Sequence, residues 1–304
     1  MNNLIFYYKK CLMALSLFIE YVYILIHYNY LNNRVCICAI VKNENKYLRE
    51  FVSHYKKYGI DTIFIYDNNE INGEKIEDVL GDYIKNGFIK IINIRGKTKM
   101  QYPAYNHCYN KNKNLYNWLI FYDVDEFIHL TNYNSIKKYL SNKHFNKCNT
   151  IYLNQVLHTD SNQIYYYNKS LFERFPNTTL NFDEGIGFTK MILKGNRNLT
   201  IGNPHILVNE YQCNSNGKLI NKLIKQEFLN DNFYYDHFFF KSCEEYLNRL
   251  TKTDVVSGIV KGYTLQWFIF YFSVNQITKE KLDYFENKTG LNLTSFRESI
   301  IKRV

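Results

Sequence analysis

From Arg34 onward, short apolar runs alternate with segments whose apolar residues recur every three or four positions, the pattern of strands and amphipathic helices in succession. Val35 to Val41 is a continuous apolar run, as a strand buried on both faces requires, and it ends at Lys42-Asn43-Glu44. Leu48, Phe51, Val52, Tyr55 and Tyr58 then share one helical face, with Gly59 as a stop. Thr62 to Tyr66 predicts a second strand that delivers Asp67, Asn68 and Asn69 to its carboxyl end before a turn at Asn72-Gly73. Ile76, Val79, Leu80 and Tyr83 predict a helix closed by Gly87. A strand over Phe88 to Ile94, a helix over Gln101 to Lys111 and a strand over Trp118 to Tyr122 follow. This alternation predicts an α/β, Rossmann-like, mostly parallel sheet with helices on both faces and a ligand crevice beyond the carboxyl ends of its strands.

Beyond Ser141 the pattern is mixed. Thr150 to Leu157 reads as a strand, Phe182 to Pro204 carries glycines and short strand-like runs, and Ser242 to Val260 reads as a helix. No internal repeat or linker separates this part from the first, so residues 34–304 are expected to form one domain, with a nucleotide-type half over 34–130 and a smaller mixed half over 131–304. Residues 1–33 stand apart. An apolar and aromatic stretch from Cys11 to Tyr28 follows Lys9 and Lys10 and is interrupted by Glu20 and His27. A single-pass type II anchor, a peripheral amphipathic helix and an ordinary buried helix all fit it, with a tilt toward membrane association, and no small-residue cleavage site follows.

Composition changes this picture little. The 304 residues are 46% hydrophobic, enough for a sizeable core, and the formal net charge is +10. That charge suits an anionic partner, but the lysines are scattered and no zinc spacing or RNA-binding signature accompanies them, so nucleic acid is not an expected partner. The densest cluster, Arg95, Lys97 and Lys99, either faces phosphate or lies in a solvated loop. Seven cysteines without framework spacing do not predict a disulfide scaffold and weakly favour a reducing compartment. Cys36 and Cys38 read as small core residues on one strand face.

The strongest chemical signal is Leu119-Ile120-Phe121-Tyr122-Asp123-Val124-Asp125-Glu126-Phe127. A hydrophobic strand that ends in two acids one residue apart places both carboxylates on one side of the chain. Hard oxygen ligands of this kind suit Mg²⁺ or Mn²⁺, which bridge a protein to a diphosphate and neutralise it as a leaving group. Asp125 is the expected direct ligand; Asp123 is expected at the ribose or at metal-bound water. The competing reading is that acids at strand ends merely cap the next element. No GxGxxG or Walker A sequence is present.

Taken in order, Val41-Lys42-Asn43-Glu44, Tyr47-Leu48-Arg49-Glu50-Phe51, Tyr66-Asp67-Asn68-Asn69, Gln101 with Tyr105-Asn106-His107-Cys108, Trp118 and Asp123-Val124-Asp125-Glu126-Phe127 resemble the signature of the family 2-like and family 92-like glycosyltransferases. The likeness continues more loosely through Glu173-Arg174-Phe175, Lys190, His205 and Asp236-His237-Phe238 with Lys241-Ser242. The family pattern has Asn-His-Tyr where this chain has Asp236-His237-Phe238. The resemblance implies a GT-A fold, a UDP- or GDP-linked sugar donor, a glycan or other hydroxyl acceptor bound by the second half, a divalent cation, and inversion at the anomeric carbon. Carried over by position, Lys42, Asn43, Glu44, Asp67, Asn68, Gln101 and Asp123 line the donor pocket. His237 is available as a third metal ligand beside Asp123 and Asp125 or as a diphosphate contact, although its aromatic neighbours equally suit a satisfied core histidine. His205 is a second candidate. Inversion needs a carboxylate base, for which Asp160 is the choice and Glu173, Asp183 and Glu184 are rivals. Tyr165, Tyr166 and Tyr167 either stack on an acceptor sugar or pack in the core.

Two other classes remain open. A sugar-nucleotidyltransferase would release pyrophosphate and normally carries a glycine-rich phosphate loop, which Lys42-Asn43-Glu44 lacks. A non-catalytic sugar- or membrane-binding protein of the same fold would bind nucleotide without turnover.

Overall fold

The computed structural model describes residues 15–22, 33–179, 189–202, 205, 211–220 and 233–301. The strands are β1 (Val35–Val41), β2 (Thr62–Asp67), β3 (Ile89–Asn93), β4 (Trp118–Phe121), β5 (Glu126–Leu130), β6 (Thr150–His158), β7 (Thr178–Thr179), β8 (Thr189–Lys194), β9 (Gln212–Cys213) and β10 (Phe233–His237). They form one sheet in the order β3-β2-β1-β4-β8-β6-β10-β5, with β7 and β9 also paired to β6. The first four are mutually parallel, β8 runs antiparallel between β4 and β6, β10 is parallel to β6, and β5 closes the edge antiparallel to β10. The expected mostly parallel sheet is present.

Its centre is buried on both faces, which is why β1 is apolar throughout. Val35, Ile37, Ala39 and Val41 pack with apolar residues of the Asn45–Lys57 and Glu77–Lys85 helices. Cys36, Cys38 and Ile40 pack with Ala104, Tyr105 and Cys108 of the Gln101–Asn112 helix on the other face. Cys36 and Cys38 are the core residues they were expected to be. A third apolar cluster joins the helices Cys243–Thr251, Leu265–Val274 and Lys279–Thr289.

Two expectations change. The helix read through Val260 starts on a Ser242 capping box but ends at Thr251, and Lys252 is extended at ψ 146°. Asp254 Oδ1 accepts from the Val256 and Ser257 N–H groups, an alternative to helical bonding that turns the following residues into a loop. Second, Cys148 and Cys213 are disulfide-bonded across 65 residues, tying the approach to β6 to β9, although the cysteine spacing did not predict it. Of the apolar stretch from Cys11 to Tyr28, residues 15–22 are helical and expose Leu15, Leu17, Phe18, Ile19 and Tyr21; the rest lies outside the described residues. No helix among the described residues is long and apolar enough to cross a membrane.

Candidate functional site

At the carboxyl edge of β1 and β4 lies a cavity of about 300 Å³ lined by Lys42, Glu44, Gln101, Asp123, Asp125, His205 and Arg249, and by the loop from Lys252 to Val256 with Lys261. The acidic motif reaches it in a different way from the one expected. β4 ends at Phe121, so Asp123 and Asp125 lie in the turn into β5, closed by the Glu126 N–H donating to the Asp123 carbonyl at 3.1 Å. A tight turn rather than strand alternation brings both acids to the cavity.

Each acid is already held by cations. Asp123 Oδ2 lies 2.8 Å from Lys190 Nζ, and its Oδ1 accepts from the Tyr105 hydroxyl at 3.2 Å. Burial pushes this carboxyl up, but Lys190 outweighs it and holds the pKa below the ordinary aspartate range. Asp125 Oδ2 takes Lys241 Nζ at 2.6 Å and Arg249 Nη1 at 3.2 Å. Burial again opposes ionisation, yet Lys241, His237 and Arg249 together hold Asp125 far below the usual range. Glu126 is fully buried 3.0 Å from Lys190; burial, only partly countered by that lysine, raises its pKa to about 8. Its Oε1 has no hydrogen-bond partner.

His237, at the end of β10, faces the same turn. Its Nδ1 lies 2.6 Å from Gln155 Oε1, which assigns the hydrogen to Nδ1 and leaves the Nε2 lone pair 3.8 Å from both Asp125 Oδ1 and Glu126 Oε1. Burial lowers its pKa to about 3, so the ring is neutral at neutral pH. A neutral imidazole whose second nitrogen is anchored on an amide oxygen has the form of a metal ligand. Asp125 and His237 therefore fit a divalent cation. The expected trio does not assemble, because Asp123 is turned to Lys190 and Tyr105. Among the described residues no three His, Cys, Asp or Glu side chains converge on one metal position.

Other expected residues separate into lining and scaffold. Lys42, Glu44 and Gln101 line the cavity, and Asn43 lines a neighbouring cavity of about 200 Å³ while its N–H donates to Asn69 Oδ1. Asp67 and Asn68 line neither. Asp67 is buried against Arg95 Nη1 at 2.8 Å, and Asn68 donates to the Ile94 and Lys97 carbonyls, so both fasten the loop ends of β1 to β3. Arg95 is thereby turned inward, onto Asp67 and the Gly73 carbonyl.

Asp160 is not placed to act as a base. It is 1% exposed, ion-paired with Lys281 and hydrogen-bonded by the Tyr271 hydroxyl, inside the helical cluster and outside both cavities. Of its rivals, Glu173 caps its own short helix on Ser170 and is absent from both cavity walls, while Asp183 and Glu184 lie outside the described residues. The Tyr166 and Tyr167 rings stand 4.7 and 5.2 Å from the Arg174 guanidinium, which pairs with buried Glu245, so these tyrosines pack against the protein itself. Asp236, at the family departure, accepts from His158 Nε2 at 2.9 Å inside the core.

Sequence reasoning assigned no role to Arg249, Lys252, Asp254 or Lys261, and knew Lys190 only through a loose likeness. Lys190 did leave a signal, a charge directly before the apolar Met191-Ile192-Leu193 run of the strand Thr189–Lys194. Lys252 Nζ reaches the Asn43 carbonyl at 2.7 Å and Glu44 Oε1 at 3.0 Å, latching its loop across the first strand's exit.

Parts of this chain are similar to known proteins. A glycosyltransferase family 92 protein of Ricinus communis is 33% identical over 98 residues, covering 32% of this chain and 17% of the relative. Another from Oryza sativa subsp. japonica is 28% identical over 116 residues, 38% of this chain and 20% of its own length, so the matched stretch spans about a fifth of these relatives. Among solved structures, S. aureus TarS 1-349 aligns with a TM-score of 0.37 and 13% identity over 68% of this chain and 61% of that one. The profile of glycosyltransferase family 92 matches residues 33–256, well over half of the sequence, and the chain belongs to that family.

Proposed function

We propose that this chain transfers a sugar from a nucleoside-diphosphate donor, UDP- or GDP-linked, to a hydroxyl acceptor, with the donor seated in the 300 Å³ cavity. One observation carries the reading. Asp125, delivered by the β4–β5 turn, lines this cavity together with Lys42, Arg249, Lys252 and Lys261, and His237 at the end of β10 holds its Nε2 3.8 Å from Asp125 Oδ1. Carboxylate and imidazole accept a divalent cation, and guanidinium and ammonium groups suit phosphate oxygens.

Asp125 and His237 would hold the metal, with Mn²⁺ suiting the mixed set and diphosphate and water oxygens completing it. When bound, it supplies Lewis-acid neutralisation of the departing diphosphate. The chain's own groups do the rest. Asp123, kept ionised by Lys190, accepts a hydrogen bond from a ribose hydroxyl. Gln101 and Lys42 bound the nucleotide end. Arg249 and Lys252 face the leaving phosphates, and the loop that Lys252 latches excludes water from them. Transfer with inversion remains part of the proposal and is read from the anomeric configuration of the product.

The test is calorimetric titration of UDP and GDP with and without Mn²⁺, with Asp125→Ala as control. Binding of one nucleotide should need the metal and weaken by about tenfold or more in the variant. Metal-independent binding that survives Asp125→Ala overturns the site. Release of pyrophosphate in place of a nucleoside diphosphate would make the chain a nucleotidyltransferase.

A further inference from the structure

A third, larger cavity of about 980 Å³ lies at the opposite edge of the sheet, where Asn33 leads into β1 and Trp118 begins β4. It is unlike the donor pocket in charge. Lys113, Lys143, Lys194 and Arg197 line it, and no carboxylate does among the described residues. Three of these cations bond to neutral oxygens: Lys113 to Asn198 Oδ1 at 3.0 Å, Lys194 to the Asn146 carbonyl at 2.7 Å and Arg197 to Asn149 Oδ1 at 3.0 Å. Four positive groups gathered with no ion-pair partner among the described residues create a field that an anionic ligand would relieve.

The walls are fixed. The Gly195 N–H donates to the Asn117 carbonyl at 2.7 Å and the Asn196 N–H to the Lys113 carbonyl at 2.6 Å, joining the end of β8 to the loop before β4. A Cβ on Gly195 would stand 2.0 Å from the Tyr116 carbonyl oxygen, so only glycine permits the approach. On the rim Leu115 is 57% exposed between Asn114 and buried Tyr116. An apolar tip ringed by basic and amide groups is the make-up of a surface that meets phospholipid, with the leucine at the acyl boundary and the cations at the phosphates.

The sequence leading into this cavity has the same character. Asn33 follows the apolar stretch from Cys11 to Tyr28, whose described residues 15–22 expose Leu15, Leu17, Phe18, Ile19 and Tyr21. We propose that the Lys113, Lys143, Lys194 and Arg197 cavity binds the phosphate headgroups of an anionic phospholipid membrane. The N-terminal edge of the sheet then rests on the bilayer while the donor pocket, at the carboxyl edge, faces away from it.

The test is co-sedimentation of the full chain with phosphatidylcholine vesicles, with and without added phosphatidylserine. Lys143→Gln/Arg197→Gln removes two exposed charges and no core contact, and Lys85→Gln/Lys90→Gln is the control of equal net charge at an exposed site elsewhere. Phosphatidylserine should strengthen binding, and the cavity pair should lose about fivefold of that gain per residue removed, while the control pair keeps it. Equal losses in both pairs, or no gain from phosphatidylserine, overturns the proposal. Calorimetric binding of inorganic phosphate without any gain on vesicles also overturns it, in favour of a soluble phosphate ligand. Circular dichroism of each variant confirms the fold.

Discussion

Lys190 is fully buried between Asp123 and Glu126, at 2.8 and 3.0 Å. Burial alone would lower the pKa of this ammonium, and the two carboxylates instead hold it above its ordinary range. Replacing one partner of a buried ionic cluster strands the others, so Lys190→Met should cost about 3–5 kcal/mol in urea unfolding. A loss under about 1 kcal/mol would mean that the turn relaxes without this lysine. A second buried group sets a pH dependence. Burial of His54, whose Nε2 donates to the Ile128 carbonyl at 3.1 Å, lowers its pKa to about 4. An unfolded histidine titrates near ~6.5, so as pH falls the unfolded chain takes up this proton first. Stability from the neutral ring is therefore complete above about pH 6.5 and is lost progressively toward pH 4. His205, lowered to about 4 by burial and then Lys190, acts in the same window. Unfolding free energies measured stepwise from pH 7 to pH 4 should decline, and His54→Gln should flatten the decline.

At the scale of elements, the loop after the Cys243–Thr251 helix carries much of the site. Asp254 holds it through the Val256 and Ser257 N–H groups and through Lys261 at 3.3 Å, and the Gln101 N–H donates to the Val255 carbonyl at 3.2 Å. Asp254→Ala should loosen this cover, weakening nucleotide binding by about tenfold in calorimetry while leaving the thermal midpoint nearly unchanged, because the loop's exposed residues contribute little to the core. A large drop in the midpoint would instead make the loop part of the folding unit. The parallel strands β1 to β4 were legible because burial on both faces writes a continuous apolar run, and the helices between them because one face repeats. The helix end at Thr251 was not legible, since an Asp254 side chain bonding its own loop leaves no periodicity. Sites made by distant partners were equally hidden. Asp160 reads as an acid in a polar turn until Lys281 is seen against it, and Asp125 gives no hint of Arg249, 124 residues away. Glu126 was quoted within the motif, but its burial beneath Lys190 depends on β8 entering between β4 and β6, a pairing no local pattern announces.

For the whole molecule, the two proposed sites lie at opposite edges of the sheet, and the Cys148–Cys213 bond belongs to the edge away from the proposed donor pocket. It joins the segment before β6 to β9, where Thr150 pairs with Gln212 and Ile151 with Cys213. Closing a loop of 65 residues removes unfolded-state entropy worth about 4 kcal/mol in the chain-entropy account, or roughly 10 °C in the midpoint of a domain this large. Cys36, Cys38, Cys108 and Cys243 are buried and free, so in the folded protein they stay out of exchange with this pair. Reductant, or Cys148→Ala/Cys213→Ala, should therefore lower the thermal midpoint by about that amount, while metal-dependent nucleotide affinity at the folded temperature stays within about twofold. Affinity falling in step with stability would show that the two edges are mechanically coupled through β6. A midpoint indifferent to reductant would show that β9 is held by its pairing alone.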